Sequence, residues 1–314
     1  MRAPHHDSSP DASFGRRTLL TEDGLRLHVT VRGRDDAPLT VLLAHCWTAD
    51  EEDWRYQVHD LMVRYGHDVR VITWDHRGHG RSEAATESDC TVAQLARDLG
   101  AVVDALAPEG PLVLAGHSIG GMTMTAIPEE RPDLLDRIAG LLFVSTSSGR
   151  MDTVTLGLPP ASAALTRSRI PAALATRARL LSRRRRRHAP MTERRIVTRF
   201  VFGEPLRQRD AGLLVDQLIN CPPATWSGYY QDMMGHERTK ALGAYDGIPA
   251  TVLVGTRDLL TPPEHGRRIA AAIHSARFLQ APQAGHMLPL ERSDLVTTEL
   301  CALVDGALAR RTAD

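Results

Sequence analysis

Residues 111–121 read PLVLAGHSIGG, and this stretch decides the predicted fold. An apolar run leads straight into GHSIG (residues 116–120), and a helical pattern follows it. A G-x-S-x-G pattern between a strand and a helix predicts a sharp turn with a strained backbone at Ser118. Gly116 and Gly120 fit this prediction because bulkier side chains would clash there. The turn would lift the Ser118 hydroxyl to the carboxyl end of a parallel sheet, where open α/β sheets bind ligands.

The flanking sequence predicts an α/β fold with a parallel sheet covered on both faces. Short apolar runs alternate with helical patterns, which is typical of βαβ units. A hairpin precedes them at residues 18–31, with its turn at Asp23 and Gly24. The predicted strands then span residues 39–44, 69–74, 111–116, 138–144, 250–254 and 277–280. The predicted helices span residues 51–65, 92–106, 122–130, 262–273 and 290–308.

One long segment interrupts this alternation. Residues 149–246 lack the strand rhythm and are mostly helical in pattern, so they predict a helical cap inserted between two strands of one sheet. Residues 17–148 and 247–314 then form the α/β core. Residues 1–16 are rich in His, Asp, Ser and Pro, which predicts a disordered tail.

The composition limits the class of protein. The chain has 314 residues, 42% of them hydrophobic, and a formal net charge of zero, so charge gives no reason to expect nucleic acid or an anionic membrane as partner. The four cysteines are scattered without a C-x-x-C pair, which favours reduced thiols over disulfides or a zinc site. No stretch approaches the roughly 20 apolar residues of a membrane span. These features predict a cytoplasmic protein with no metal site and no membrane span.

The chain offers a base and an acid to accompany the serine. A serine hydroxyl needs a base to take its proton, and His286 lies in a loop after the last predicted strand, within AGHM (residues 284–287). The base must be held in one tautomer by an acceptor. Asp258 follows the strand at 250–254 and should lie at the same sheet edge as Ser118 and His286. The order Ser, Asp, His along the chain matches the order known for this motif.

Other positions are weaker candidates for the acid. The stretch after the strand at 138–144 offers hydroxyl residues and no carboxylate. Asp246 precedes its strand, which puts it at the opposite sheet edge. Glu291 follows His286 too closely in sequence and is interpreted as an acid at a helix N-terminus. Asp258 is therefore the predicted partner of His286.

Two further stretches, TVLLAHCWTAD (residues 40–50) and VRVITWDHRGHGRS (residues 69–82), complete a family pattern. With these stretches, the GHSIG turn and the two loops, the chain resembles the α/β-hydrolase superfamily, in its cap-bearing esterase, lipase and haloperoxidase-like branch. The resemblance covers about residues 18–148 and 247–308. It implies a mostly parallel central sheet flanked by helices, and an oxyanion held by the backbone N–H groups of Trp47 and Ile119. It implies no cofactor and no metal.

Cys46 departs from the family pattern, which usually has glycine after the histidine. Glycine often serves positions with positive φ, where a cysteine would cost roughly 1–2 kcal/mol. Cys46 is a candidate for shaping the substrate pocket or shifting the Trp47 N–H, and drift at a tolerant position is the alternative. Three aromatic residues of the insertion are further candidates for substrate binding, with packing of the cap onto the core as an equal alternative: Trp226, Tyr229 and Tyr230.

An arginine run from Arg183 to Arg187 stands out in the insertion. It predicts either a solvated face or a docking patch for an anionic carrier or a phosphate-bearing thioester. The run lacks interleaved aromatic residues, so nucleic-acid binding is not predicted.

The residues together predict a serine hydrolase that cleaves a carboxylester, thioester or lactone. A small-molecule acyl substrate would form an acyl-enzyme on Ser118. An acyl-transferring or cyclising biosynthetic enzyme and a cofactor-free perhydrolase remain open, since both use the same triad. A non-catalytic ligand-binding protein of the same fold is the third class, and the intact triad argues against it.

Overall fold

The computed structural model of the protein describes residues 14–159, 161–165, 169, 201–203 and 208–313. Its strands are β1 (Phe14–Leu20), β2 (Arg26–Arg32), β3 (Leu39–Ala44), β4 (Val69–Trp74), β5 (Leu112–His117), β6 (Ile138–Val144), β7 (Ala250–Gly255) and β8 (Ala276–Ala281). They form one eight-stranded sheet in the order β1-β2-β4-β3-β5-β6-β7-β8. The pairs β1–β2 and β2–β4 are antiparallel and the remaining pairs are parallel, so the predicted parallel sheet is confirmed.

The central strands match the predicted apolar runs closely. Every residue of β3, β4, β5 and β7 is buried, because both faces of a parallel sheet are covered and neither face can carry a polar stripe. The predicted hairpin is also confirmed, with Gly24 at φ +83° in its turn.

Helices cover both faces of the sheet. Those of the described residues are α1 (Arg55–Tyr65), α2 (Val92–Leu106), α3 (Ile119–Glu130), α4 (Gln208–Asn220), α5 (Pro223–Gly235), α6 (Pro263–Ala272), α7 (Leu288–Glu291) and α8 (Ser293–Ala313). Helices α1 and α8 share one apolar cluster with the sheet, and α2, α3 and α6 share another. None of the described helices is long and apolar enough to cross a membrane.

Helix α2 matches its predicted bounds, and the other predicted helices differ from theirs. Helix α1 begins at Arg55, because residues 51–54 form a 3₁₀ turn. Helix α3 begins at Ile119 rather than at residue 122, so it starts directly after Ser118. The predicted helix at 290–308 is split at Arg292, whose φ of −132° ends α7 before α8 begins. Because of this break, the segment that follows His286 forms a short separate helix, α7, before α8 begins.

Two predicted boundaries also shift. Strand β1 begins at Phe14, and Gly15 and Arg16 pair with β2, so these residues of the predicted tail belong to the sheet. Residues 239–245, placed in the insertion by the sequence, pack against α3 of the core. Tyr245 is fully buried there, and its hydroxyl donates a hydrogen bond of 2.6 Å to the carbonyl of Met124.

Helices α4 and α5 of the insertion pack on loops at the carboxyl edge of the sheet. From α5, Thr225 donates from Oγ1 to the carbonyl of Gly78, 3.2 Å away. From α4, the Gln217 amide donates to Asp50 Oδ1 at 2.5 Å. Gly78 follows β4 and Asp50 follows β3, so this part of the insertion lies against the loops that leave two central strands.

Candidate active site

The strand β5 and helix α3 are joined by Ser118 alone, with φ 55° and ψ −116°. A Cβ added at Gly116 would lie 2.4 Å from the carbonyl oxygen of Gly120, and one at Gly120 would lie 2.2 Å from the carbonyl oxygen of Ala44. Both distances are too short for any side chain. The predicted strained turn and its need for glycine on either side are therefore confirmed.

Asp258 and His286 meet where two loops leave the carboxyl edge. The Asp258 Oδ2 atom lies 2.8 Å from His286 Nδ1. The backbone N–H groups of Leu260 and Thr261 donate to Asp258 Oδ1, both at 2.9 Å, and the Thr261 hydroxyl donates to Oδ2 at 2.8 Å. Burial raises the pKa of Asp258, but His286 and these donors outweigh it and hold the pKa below its ordinary value. Asp258 thus accepts the Nδ1 proton of His286, which leaves Nε2 as the basic nitrogen.

The loop of residues 284–287, called here the His286 loop, packs against the turn that carries Ser118. The imidazole rings of His286 and His117 have centroids 5.2 Å apart. The backbone carbonyl of His286 also lies 2.9 Å from His117 Nε2. Ser118, Asp258 and His286 are all buried residues. The structure therefore brings the three predicted residues to one region of the sheet edge.

The loop of residues 45–50, called here the β3 loop, contains the predicted donor Trp47. The N–H groups on either side of Trp47 are occupied: Cys46 donates to Asp53 Oδ2 at 3.0 Å and Thr48 to His79 Nε2 at 3.1 Å. The Trp47 N–H has no acceptor among the described residues. Ile119 is the first residue of α3, where N–H groups lack an intrahelical acceptor.

Buried neutral histidines hold the β3 loop. His45 Nε2 accepts the N–H of His76 at 2.8 Å, so its Nδ1 carries the proton and donates to the Cys46 carbonyl at 2.7 Å. His79 accepts the N–H of Thr48 on Nε2 in the same way. Burial lowers the pKa of His45 well below its ordinary value and that of His79 to about 4. Each neutral ring therefore fixes one part of the loop.

Cys46 is not a strained residue. Among the described residues, the position of this loop with positive φ is Thr48, at 66°, and not Cys46. The expected cost of a cysteine at positive φ is therefore wrong. The Cys46 side chain is buried in an apolar cluster with Phe202, Leu214 and Met287. Burial raises the pKa of the thiol well above its ordinary value, so the group stays protonated.

The three aromatic candidates have different surroundings. Trp226 and Tyr230 are half-buried, with ring centroids 4.4 and 6.3 Å from that of Trp47. Tyr229 is fully buried, its ring lies 5.4 Å from that of His79, and its hydroxyl donates to a backbone carbonyl of the core. Tyr229 thus fastens α5 to the core, which is at odds with its predicted place in a substrate pocket.

Glu291 has a role that the sequence did not indicate. It is the last residue of the four-residue α7, whose single turn it belongs to, and it is buried. Its Oε2 accepts the N–H groups of Gly203 and Gly285, each at 2.8 Å, and its Oε1 accepts that of Met287 at 3.0 Å. Two of these donors flank His286. Glu291 therefore fixes the His286 loop from both sides. It also lies in the first turn of the four-residue α7, so this role adds to its interpretation as a helix N-terminal acid.

The family profile described as "alpha/beta hydrolase fold" matches residues 40–293 of the chain. The chain belongs to the alpha/beta hydrolase family. The resemblance and the fold class predicted from the sequence are thereby confirmed. Membership supports an enzyme, because relatives of this chain are named as esterases, hydrolases and haloperoxidases.

Individual relatives of this alpha/beta hydrolase carry several names. The provisionally named non-heme bromoperoxidase BpoC of Mycobacterium tuberculosis is 29% identical over 235 residues, covering 74% of this chain and 81% of BpoC. The bifunctional esterase/perhydrolase DCH of Acinetobacter calcoaceticus is 34% identical over 127 residues, 40% of this chain and 43% of DCH. A solved structure of an esterase from Thermogutta terrifontis has a TM-score of 0.73 and 24% identity, over 93% of this chain and 99% of that one, and shows the shared fold.

One group of potential metal ligands occurs among the described residues of this hydrolase. Cys46 Sγ, an Asp53 oxygen and a His117 nitrogen lie within 4.8 Å of one another, and all three residues are buried. Both ring nitrogens of His117 are already engaged, one by Asp53 at 2.7 Å and the other by the carbonyl of His286. The geometry is that of a hydrogen-bonded ion pair. Sequence reasoning missed this pair because Asp53 and His117 are distant in the chain.

The arginine run from Arg183 to Arg187 lies outside the described residues. The anionic docking patch therefore stays a prediction.

Proposed function

We propose that this alpha/beta hydrolase is a serine hydrolase that cleaves a carboxylester, thioester or lactone through an acyl-enzyme on Ser118. The observation that carries the proposal is the hydrogen bond of 2.8 Å between His286 Nδ1 and Asp258 Oδ2. The His286 loop contacts His117, which directly precedes Ser118 in the strand-to-helix turn. An oriented imidazole next to a serine in such a turn is the arrangement that activates a hydroxyl for acyl transfer.

The reaction has two halves that use the same base. His286 Nε2 takes the proton of the Ser118 hydroxyl as its oxygen attacks the substrate carbonyl carbon, and Asp258 stabilises the imidazolium that forms. The carbonyl oxygen becomes an oxyanion and accepts the N–H groups of Trp47 and Ile119. The bond to the leaving group breaks, and His286 returns the proton to the alcohol or thiol. Water then attacks the acyl-enzyme with His286 as base and releases the acid and free Ser118.

The insertion supplies the proposed substrate surface. We assign helices α4 and α5 of the insertion to a cap, since they lie on the loops at the carboxyl edge of the sheet. Trp226 and Tyr230 are the proposed substrate-binding aromatics, because they are half-buried beside Trp47. Cys46 is proposed to shape the substrate surface indirectly, because its buried side chain packs beneath the β3 loop and supports Trp47.

The test is loss of turnover in triad variants. Ser118→Ala, His286→Ala and Asp258→Asn should each lower kcat by about 10³-fold or more without loss of folding, and double variants should be little worse, because the three residues act as a unit. The substrates are p-nitrophenyl esters, acyl thioesters and lactones. A fluorophosphonate probe should label Ser118, identified by mass spectrometry of the labelled peptide.

A matched control separates this role from general damage. Ser88→Ala changes an exposed serine and should leave turnover and labelling as in the unchanged protein. Near-normal esterase turnover in Ser118→Ala would show that the proposed mechanism is wrong.

The names of the relatives favour a second candidate, perhydrolysis. Non-heme haloperoxidase and perhydrolase are both among those names. In that reaction hydrogen peroxide replaces water in the attack on the acyl-enzyme, and a peracid leaves instead of an acid. Peracid formation from an acyl ester and hydrogen peroxide, lost in Ser118→Ala, would support it.

A further inference from the structure

His117 lies between two acceptors. Its Nδ1 is 2.7 Å from Asp53 Oδ2, and its Nε2 is 2.9 Å from the carbonyl oxygen of His286. The side chains of His117 and Asp53 are both fully buried. A carbonyl and a carboxylate cannot donate, so both ring nitrogens must carry a proton. The ring is then an imidazolium, and Asp53 is its buried counter-charge.

The same oxygen of Asp53 also accepts a hydrogen bond from the β3 loop. Asp53 Oδ2 accepts the N–H of Cys46 at 3.0 Å. Cys46 directly precedes Trp47, and His117 directly precedes Ser118. The pair therefore touches the β3 loop through Cys46, the Ser118 turn through His117 itself, and the His286 loop through a backbone carbonyl.

We propose that the Asp53–His117 ion pair is a positioning element that holds the proposed nucleophile, base and oxyanion donor in register. This inference rests on the proposed function, because it assigns a task to residues behind the triad. Each reacting group belongs to a different loop, and the relative placement of the three loops must hold to within a fraction of an ångström for efficient acyl transfer. Neither Asp53 nor His117 touches the substrate in this scheme.

The surroundings of His117 support the charged form. Burial lowers its pKa, but the carboxylate of Asp53 outweighs burial and the net pKa is raised. Asp258 adds a further favourable negative charge. Among the described residues, its other titratable neighbours are the rings of His286 and His45 and the protonated thiol of Cys46. Above its pKa, His117 would lose one N–H and turn a lone pair towards an acceptor.

The first test reads the charge of His117 directly and needs no turnover. NMR of the whole protein with 15N-labelled histidine rings distinguishes an imidazolium, with two protonated nitrogens, from a neutral ring with one. His117→Gln assigns the signal by its disappearance. We expect an imidazolium at pH 7 that titrates only on the alkaline side, and a neutral ring at pH 7 would overturn the proposal.

The second test measures the rate of fluorophosphonate labelling of Ser118 against pH. Asp53→Asn should lower the labelling rate about 10- to 100-fold at neutral pH, since misplacement by about 1 Å costs rate on this scale. It should also move the alkaline limb towards neutral pH, because the counter-charge that raises the pKa of His117 is gone. His117→Gln should remove the alkaline limb altogether.

Asp98→Asn is the matched control. Asp98 is a buried carboxylate paired with Arg77 Nη2 at 2.6 Å, and its side chain bonds to Arg77 and Gln94 rather than to the three loops. Its removal should lower the melting temperature without moving the alkaline limb. An unmoved limb in Asp53→Asn, or stoichiometric metal in the purified protein lost on Asp53→Asn, would overturn the ion-pair assignment. Absence of any labelling of Ser118 in the unchanged protein would instead count against the proposed function, while the NMR result would stand.

Discussion

Cys46 and Thr48 lie two residues apart in the β3 loop, and they differ in the sign of their backbone φ angle. Thr48 holds φ 66°, a region where a β-branched side chain is strained, whereas Cys46 is outside that region. The Cys46 side chain is 3% exposed and packs with Phe202 and Met287. The family glycine is therefore replaced by a residue that adds buried contact without backbone strain.

Cys46→Gly should destabilise the protein, because it removes buried contact and adds chain freedom in the unfolded state. The expected loss of unfolding free energy is roughly 1–3 kcal/mol, measured by urea denaturation. Thr48→Gly is the matched control, since it puts glycine where φ is positive and should leave stability unchanged or raised. A gain in stability for Cys46→Gly would contradict this account and restore the strain explanation.

At the residue scale, the sequence predicts those functional residues that are marked by their immediate neighbours in the chain. Ser118 has its glycines within two positions, and His286 and Asp258 each follow a strand end. Asp53 and Glu291 carry no such local signal, because their partners are backbone groups and side chains brought together by folding. The Asp53–His117 contact spans 64 positions and the Glu291–Gly203 contact 88, so only the tertiary structure reveals them.

The His286 loop is held as an element by contacts from two directions. The N–H of His286 donates to the carbonyl of Val201 at 2.8 Å, and Gly203 donates to Glu291 at 2.8 Å. A Cβ at Gly285 would lie 2.4 Å from the nitrogen of Gly203. Residues 201–203 of the insertion therefore pack directly on the loop that carries the proposed base.

Glu291→Gln should impair catalysis and stability together. The three N–H groups need acceptors on both carboxylate oxygens, and an amide turns one oxygen into a donor that faces a donor. An unsatisfied buried N–H costs about 1–3 kcal/mol, and we expect a fall in the Ser118 labelling rate of about tenfold. The measurements are the melting temperature and the fluorophosphonate labelling rate.

Glu299→Gln is the matched control for this substitution. Glu299 lies on α8. Within the part of the chain that the structure describes, it accepts long bonds from the Thr251 hydroxyl and from Arg277, at 3.5 and 3.3 Å. Its labelling rate should match that of the unchanged protein. Equal labelling rates in both variants would mean that Glu291 only supports folding and does not position His286.

At the element scale, the bounds of the parallel strands were predictable to within one residue, whereas among the helices only α2 matches its predicted bounds. Strands β3, β4 and β6 match the predicted bounds because a strand covered on both faces is mostly apolar along its length, although β3 holds Thr40 and β4 holds Arg70 and Thr73. Helix ends depend on contacts outside the helix. The Ser118 turn sets the start of α3, and the segment that presents Glu291 sets the break between α7 and α8.

At the scale of the whole molecule, the formal net charge of zero counts every histidine as neutral, and the buried histidines of the folded protein stay neutral to lower pH than free histidines do. Several histidines are buried and neutral, and their pKa values lie below the ordinary 6.5: His45 and His76 well below it, His79 and His236 at about 4. Burial is the first cause in each case. In the unfolded chain the same rings take up protons near pH 6.5, so folding and proton binding oppose each other in mildly acidic solution.

The protein should therefore lose stability as the pH falls from about 6.5 to about 4. In this window the unfolded state binds more protons than the folded state, and the unfolding free energy decreases with decreasing pH. A ring shifted to about 4, such as His79, accounts for about 3 kcal/mol at the lower end. Burial raises the pKa of Asp50 to about 6, so this group binds a proton in the folded state first and adds stability as the pH falls over the same range. The other buried histidines outweigh Asp50, so the unfolding free energy still decreases.

Urea denaturation at pH 7 and pH 4.5 tests this for a single ring. His79→Gln removes one titrating group, so the stability lost between the two pH values should shrink by about 2–3 kcal/mol, although the variant is less stable at pH 7. His274→Gln is the matched control, because the His274 side chain is 82% exposed, and it should leave the pH dependence unchanged. If His79→Gln lost as much stability on acidification as the unchanged protein, the neutral state assigned to the ring beneath Thr48 would be wrong. The resulting slope would then have to come from carboxylates, which lose their native interactions at lower pH.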